Sequence, residues 1–566
     1  MTTRRYLAVE IGSKHTRAWL FDDASGSFEL RECAKTLSSL KARGEVESGA
    51  HEAIRTLQNK ANLALFAGGE TKLNFGDGGL SGAALTVSAG EPISTVLVGV
   101  SDTYSLATLN RLSGMFGCNV VLAIHQQDEL NATAQLSRMI ASDADLFIVA
   151  GGTNRGAIKP LKAAVDNIRI IYENMPRQVK PQVVYAGNDS YAPDATAAFE
   201  GSFDAHIAGN IQPEMGVEDP SIAWKSMLRA WRQVRLSQMS GLSEVEELLQ
   251  VKALPSAFAM GRVVRLLDQM NPRGKGVMTV DLGQLETRLM AARGGTLAGL
   301  VEPFELSNPL IDMTYRFMSQ PLEKASVEAC LRNKRLLPDF IPLSIDDMAV
   351  EQAFMRARII TALEELAIRN PDFGYKKERG LIEPYEPIIL LGEAFCQCKH
   401  AGQTMMAALD GFQPHGVTTF VLDQAQLTPA LGALAGVEPM VAVQVIDSGI
   451  YKNLGTTAAV DSPEKSGRMV LEVEVDESQP ERRRLTVRKG ELKRLETVSE
   501  DKTRLYLSPT ANSDVGMGMR GLGGWLAVSN SEVGVVIDAR GRPIEIESDA
   551  DARMTQITEW SWELSE

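Results

Sequence analysis

The chain has 566 residues, 44% of them hydrophobic and 23% charged, and a formal net charge of −14. At about 150 residues per domain this length corresponds to three or four domains, and the composition is that of a folded globular protein. An acidic surface of this kind repels nucleic-acid phosphates and anionic lipid, so neither is expected as a partner.

No apolar run reaches the roughly 18 residues that span a bilayer. The opening segment runs from two arginines straight into a short apolar strand, so no signal peptide is expected. Five cysteines, few and odd in number, read as reduced thiols, and the cytoplasm is the expected compartment.

Short apolar runs at 7–9 and 18–21 predict two strands around a tight loop. Runs at 95–100, 120–124, 146–149 and 183–185 predict buried strands, with amphipathic helices near 103–116, 127–140 and 159–173. Strand–helix alternation predicts a mostly parallel sheet covered on both faces. The glycine-rich stretch 70–91 reads as loop with one weak strand. The polar stretch 209–219, with Pro213, reads as a connector, and 221–254 as strongly helical. A second β-rich start follows at 277–281, then a long helix at 345–369. A strand at 388–391 precedes a helix near 394–409, and 418–422 with 428–436 repeats that pattern.

Beyond Asp461 the pattern changes. Alternating runs at 471–475, 485–487, 504–507, 525–528 and 534–537 predict short strands, and nothing helical follows until the extreme end. The expected organisation is a first lobe at 1–210, a helical connector at 211–275, a second lobe at 276–460 and a C-terminal β domain at 468–550, reached through a linker at 462–467.

The strongest signal is a duplication. Leu7-Ala-Val-Glu-Ile-Gly-Ser-Lys-His-Thr-Arg-Ala aligns without a gap to Met278-Thr-Val-Asp-Leu-Gly-Gln-Leu-Glu-Thr-Arg-Leu. Glu10 then meets Asp281, Gly12 meets Gly283, Thr16 meets Thr287 and Arg17 meets Arg288. A carboxylate at a strand end can hold a hydrated magnesium ion that bridges phosphate oxygens. The glycine lets the backbone turn tightly, and the following N–H and hydroxyl groups can donate to phosphate. Two such loops are expected to hold one nucleotide between them.

With these residues the sequence resembles the glutamate-mutase accessory family called MutL, within the actin, heat-shock chaperone and sugar-kinase ATPase superfamily. The resemblance spans roughly 6–446. It rests on Glu10-Ile-Gly-Ser-Lys-His-Thr-Arg, Asp145-Leu-Phe-Ile-Val-Ala-Gly-Gly-Thr-Asn-Arg-Gly, Val183-Val-Tyr-Ala-Gly-Asn-Asp and Thr279-Val-Asp-Leu-Gly. It implies an α/β protein with a duplicated actin-like (ribonuclease-H-like) ATPase fold, to which the C-terminal β-rich domain is an addition. It also implies an ATP-binding accessory protein associated with adenosylcobalamin-dependent mutases and acting on a protein partner.

The implied cofactor contacts are Glu10, Gly12, Ser13, Lys14 and Thr16 in the first loop, Gly151, Gly152 and Thr153 after the Asp145 strand, Asp281, Gly283 and Thr287 in the second loop, and Gly392. Glu10 and Asp281 are the candidate metal ligands. No catalytic residue is assigned.

Three departures argue for weak or lost hydrolysis. Glu10 stands where the family usually has Asp. Gln284, Leu285 and Glu286 follow Gly283, where small residues and threonines are usual. Glu393 follows Gly392, where a second glycine is usual. An acid beside a polyphosphate is costly: unit charges 4 Å apart repel by about 4 kcal/mol at an effective dielectric of 20. One reading is therefore a hydrolysis-impaired accessory or scaffold protein, with ATP and magnesium bound weakly or not at all and a paralogue or a cobalamin-dependent mutase as partner. The alternative is an active ATPase that assembles or reactivates such a mutase.

Smaller features carry bland readings. Cys396-Gln-Cys-Lys-His400 is too tight and has no second cysteine pair to complete a metal site, so it reads as the start of a helix. His15 reads as an exposed loop side chain, and Asp102 and Asp128 as helix N-caps. The basic run at 482–494 reads as a strand with a solvated face, and 514–524, with five glycines, as a loop.

Overall fold

The computed structural model describes residues 3–38, 46–69, 71–125, 132–174, 180–200, 205–271, 274–337, 340–476, 483–496 and 502–564. The chain forms two compact units. One comprises Met1–Val263, Gly299–Val301 and Thr428–Ser448, the other Val264–Ala298, Glu302–Leu427 and Gly449–Glu566.

The first unit contains two sheets. β1 (Arg5–Ile11), β2 (His15–Asp22) and β3 (Glu29–Leu37) form an antiparallel meander, and β4 (Gly82–Val87) lies parallel to β1. The helix Val46–Ala61 joins β3 to β4, and its Ala50, Ala53, Ile54 and Leu57 are buried. This spacing of three and four residues sets one apolar stripe on the strands.

β5 (Ile93–Val98), β6 (Cys118–Ile124), β7 (Leu146–Gly151), β8 (Gln182–Gly187) and β9 (Ala205–Ile207) form the second sheet, in the order β6-β5-β7-β8-β9 with every pair parallel. This is the parallel sheet that the alternation predicted, and it is separate from the hairpin sheet. Its core includes Val96, Phe147, Val149, Val183 and Tyr185, closed by Leu161, Val165 and Ile168 of the helix Lys159–Asn174. β10 (Leu254–Pro255) then returns to β4.

The region 221–254 is helical as expected, but breaks into Trp224–Gln238 and Leu242–Leu249 around Gly241, whose φ is +85°. Both helices belong to the first unit, where Met227, Ala230, Trp231 and Leu249 are buried.

The second unit repeats the first arrangement. β11 (Gly276–Leu282), β12 (Glu286–Arg293) and β13 (Thr296–Pro303) are followed by the predicted long helix Ile345–Arg369, started by a capping box between Ser344 and Asp347. After the two-residue strands β14 (Tyr375–Lys376) and β15 (Gly380–Leu381), β16 (Tyr385–Leu391) lies parallel to β11 and β17 (Gly416–Leu422) parallel to β16. Meander, helix and parallel strand recur in the same order in both units, which is the duplicated actin-like ATPase fold.

β18 (Lys452–Ala459) precedes the C-terminal region. β19 (Met469–Asp476), β20 (Arg483–Arg488), β22 (Thr503–Pro509) and β23 (Gly524–Val528) form a separate antiparallel sheet in the order β20-β19-β22-β23. β21 (Leu492–Leu495) and β24 (Val535–Asp538) instead extend the main sheet, β24 running parallel to β18. One apolar core joins Val417, Ala458 and Val460 to Val473, Leu505, Val535 and Ile537. In the segment read as a linker, Ser462 is buried and accepts a hydrogen bond from Ser513 Oγ, while Lys465, Ser466 and Gly467 are exposed.

Two further differences are local. The helix expected at 394–409 is two helices, Glu393–Cys396 and Ala401–Phe412. Asp102 opens its helix without capping it; Ser105 Oγ accepts from the N–H groups of Val100 and Ser101 instead. Asp128 lies outside the described residues. Among the described residues, no helix is long and apolar enough to cross a membrane.

Candidate functional site

Each unit holds one of the two hairpins. In the first, β1 and β2 pair in a register that sets Glu10 opposite Arg17. Gly12, Ser13 and Lys14 make the loop, closed by the Gly12 N–H donating to the His15 carbonyl at 3.0 Å. Ser38 Oγ donates to the Gly12 carbonyl at 2.7 Å and lies 3.0 Å from Thr16 Oγ1, so Thr16 is tied to the loop. The Glu10 carboxylate is buried. It accepts from Ser256 Oγ at 2.7 Å and sits 3.7 Å from Arg17 Nη1.

In the second unit the same register sets Asp281 opposite Arg288. Here the pair is closer, with Arg288 Nη2 2.7 Å from Asp281 Oδ2. The same guanidinium lies 3.2 Å from Glu286 Oε1, so the loop acid that the sequence sets against phosphate has a cation beside it. Arg358, on the long helix, holds the loop from below. Its Nε donates to Thr287 Oγ1 at 3.0 Å, and its Nη2 to the carbonyls of Gly283 at 2.8 Å and Glu286 at 2.7 Å. Burial pushes the Arg358 guanidinium down to about 10, against the pull of Glu351, Asp281 and Glu286. Leu285 is exposed.

Gly392 follows β16 with φ +105°. A Cβ there would lie 2.5 Å from the Leu282 carbonyl oxygen and 2.6 Å from Asp281 Oδ1. Only glycine permits both that φ and that approach. Gly392 therefore packs against Leu282 and Asp281 within one unit.

Gly151, Gly152 and Thr153 are elsewhere, at the carboxyl end of β7 in the parallel sheet. Gly151 packs on Val100, where a Cβ would lie 2.8 Å from Cγ2. The Gly152 carbonyl accepts from Asn210 Nδ2 at 2.8 Å, and Asn154 Nδ2 donates to Asp189 Oδ2 at 2.8 Å. These residues order the strand ends of a sheet that does not contain the Glu10 hairpin.

The cysteine stretch is also local. Cys396 Sγ faces the carbonyls of Asp423 and Gln424, and Cys398 Sγ accepts from Gln352 Nε2 at 3.3 Å. Among the described residues, no cluster of three or more His, Cys, Asp or Glu has the geometry to hold a metal ion.

Sequence reasoning aligned Arg17 with Arg288 but did not read what they do. The signal was present: an arginine seven positions after each carboxylate, across a hairpin whose innermost pair (Ile11 with Thr16, Leu282 with Thr287) encloses four residues, comes opposite that carboxylate. Both candidate metal ligands thus already lie beside a cation. A hydrated magnesium ion needs carboxylate charge and lone pairs free to face it, so the residues present fit that ion poorly.

The fold and hairpins define an actin-like ATPase-fold protein. A family model described as MutL protein matches residues 6–303, more than half of the chain, and the chain belongs to that family. No curated protein is similar enough to the chain to count as a relative.

Solved structures are similar at a distance. A diol dehydratase-reactivating factor in nucleotide-free form is 11% identical, with 79% of this chain and 100% of that chain covered and a TM-score of 0.32. A nucleotide-free acetone carboxylase is 10% identical, with 86% and 81% covered and a TM-score of 0.30. A ROK family glucokinase from Streptomyces griseus, in complex with glucose and AMPPNP, is 10% identical, with 76% and 97% covered and a TM-score of 0.29.

Proposed function

We propose that this chain is a cytoplasmic accessory protein that acts on a protein partner through a nucleotide-binding fold whose hydrolysis is impaired. The partner class is a paralogue or a cobalamin-dependent mutase. The observation that carries this reading is the pairing of both strand-end carboxylates with their own cross-strand arginines, Glu10 with Arg17 and Asp281 with Arg288. A buried ion pair of this kind does not open without cost. The exposed Leu285 and the acid Glu286 supply none of the small donors a polyphosphate needs.

The second reading, an active ATPase that assembles or reactivates a mutase, rests on the retention of both carboxylates and of Gly12, Gly283 and Gly392. The two separate in a pull-down from the native cell with the tagged full chain, with and without ATP. The accessory reading expects the same partner in the same yield under both conditions. ATP-driven release of the partner contradicts it.

A further inference from the structure

The second unit contains a cavity of about 210 Å³ between the helices Ile345–Arg369, Ala401–Phe412 and Ala550–Glu563 and the residues after the helix Asn308–Arg316. Phe317, Met348, Met406 and Ile557 give it apolar walls, and Gln352 and Gln403 are among its polar groups. Among the described lining residues one side chain is charged, Arg356, and there is no carboxylate.

Arg356 is buried. Its Nε donates to Asp410 Oδ2 at 2.7 Å and its Nη1 to the Gln352 carbonyl at 2.7 Å. Among the described residues Nη2 makes no hydrogen bond. Behind it the charges do not balance. Asp410 also accepts from Arg540, and Asp538 accepts from both Arg540 and Arg542. Burial would raise Asp538, but the two arginines outweigh it and hold it well below the usual carboxylate range. Three guanidiniums therefore share two carboxylates, and the side chains of all five residues are nearly inaccessible. The Trp560 ring faces Arg540 4.6 Å from its Cζ, an anion would offset the remaining excess positive charge, and the donor without a protein partner, Arg356 Nη2, belongs to the cavity wall.

We propose that this cavity is a binding site for a small organic acid, an apolar stem carrying one carboxylate that accepts from Arg356. Binding there would fasten the C-terminal helix, which contributes Ile557 and Ser561, to the body of the unit. The site is independent of the nucleotide reading above.

The test uses the full chain and three probes: hexanoate, neutral hexanamide and inorganic phosphate, each titrated by calorimetry and ligand-observed NMR. Hexanoate is expected to bind saturably, one per chain, and at least tenfold more tightly than hexanamide. Arg356→Met is expected to remove that preference. Because Arg356 is also part of a buried ion pair, Gln320→Trp provides the second arm: it fills the cavity from a half-buried position on its wall and is expected to weaken hexanoate at least tenfold with the melting temperature kept. Equal affinity for hexanoate and hexanamide, binding of phosphate alone, hexanoate binding that survives Gln320→Trp, or no saturable binding up to about 10 mM each overturns the proposal.

Discussion

Arg288 reaches Asp281 at 2.7 Å across a hairpin, and Arg17 stands at the same register position opposite Glu10 at 3.7 Å. The two pairs are the structural form of the sequence repeat. Their different closeness gives an ordering: removing one partner of a tight buried pair strands a charge at about 3–5 kcal/mol. Arg288→Met is therefore expected to destabilise by that order, and Arg17→Met, whose pair is longer, by less. Urea unfolding of the single mutants and of Asp281→Asn/Arg288→Met checks this, with the double mutant expected to recover much of the loss.

Gly392→Ala forces a Cβ into the Leu282 carbonyl and Asp281 at positive φ. Strain of this kind costs on the order of 1–3 kcal/mol before any clash is counted. A lower urea midpoint at unchanged slope is the expected result.

Arg358 holds the second loop through two carbonyls and one hydroxyl. Arg358→Met is expected to raise amide hydrogen exchange over Gln284–Arg288 more than over Gly12–Thr16, which it does not touch. Equal exchange in the two loops would show that the loop holds itself.

Burial, reinforced by Glu365, pushes Glu302 up to about 7, with Arg369 pulling the other way. An unfolded glutamate titrates near 4.3. The folded state therefore holds this proton more tightly. Its contribution to stability is fully present below about pH 4.3 and is lost as pH rises through about 7. Glu302→Gln is expected to flatten the decline of stability over that window in urea titrations at successive pH values.

Much of the fold was legible in the sequence because the two hairpins repeat residue for residue and the buried strands are apolar runs bounded by turns. The helix 345–369 was legible from its length and lack of breakers. What local pattern does not encode is which sheet a strand joins. The strands from β5 to β9 read as one alternating series with the hairpin, yet they make their own sheet. Likewise β24 reads like its C-terminal neighbours but completes the main sheet beside β18, and the basic run 482–494, read as one strand, is β20 and β21 in two different sheets. The site was legible as motif positions. The arginines were visible as letters, but their meaning depends on hairpin register, which appears only when the strands are paired.

That pairing has a consequence for fragments. A chain ended at 460 would leave β18 without β24, and a fragment 468–566 would leave β21 and β24 without the sheet they extend. Each is expected to be poorly folded alone and to recover when the two are co-expressed, as judged by circular dichroism and gel filtration.

The central claim is that the paired carboxylates and the second loop leave this fold without effective hydrolysis. Calorimetry with magnesium and ATP, run beside a phosphate-release assay on the same sample, tests it most directly. The account predicts weak or undetectable binding, release no faster than the protein-free blank, and tighter binding in Glu286→Thr, which removes an acid beside the phosphates. Micromolar binding by the natural sequence, with turnover abolished by Asp281→Ala, would contradict it.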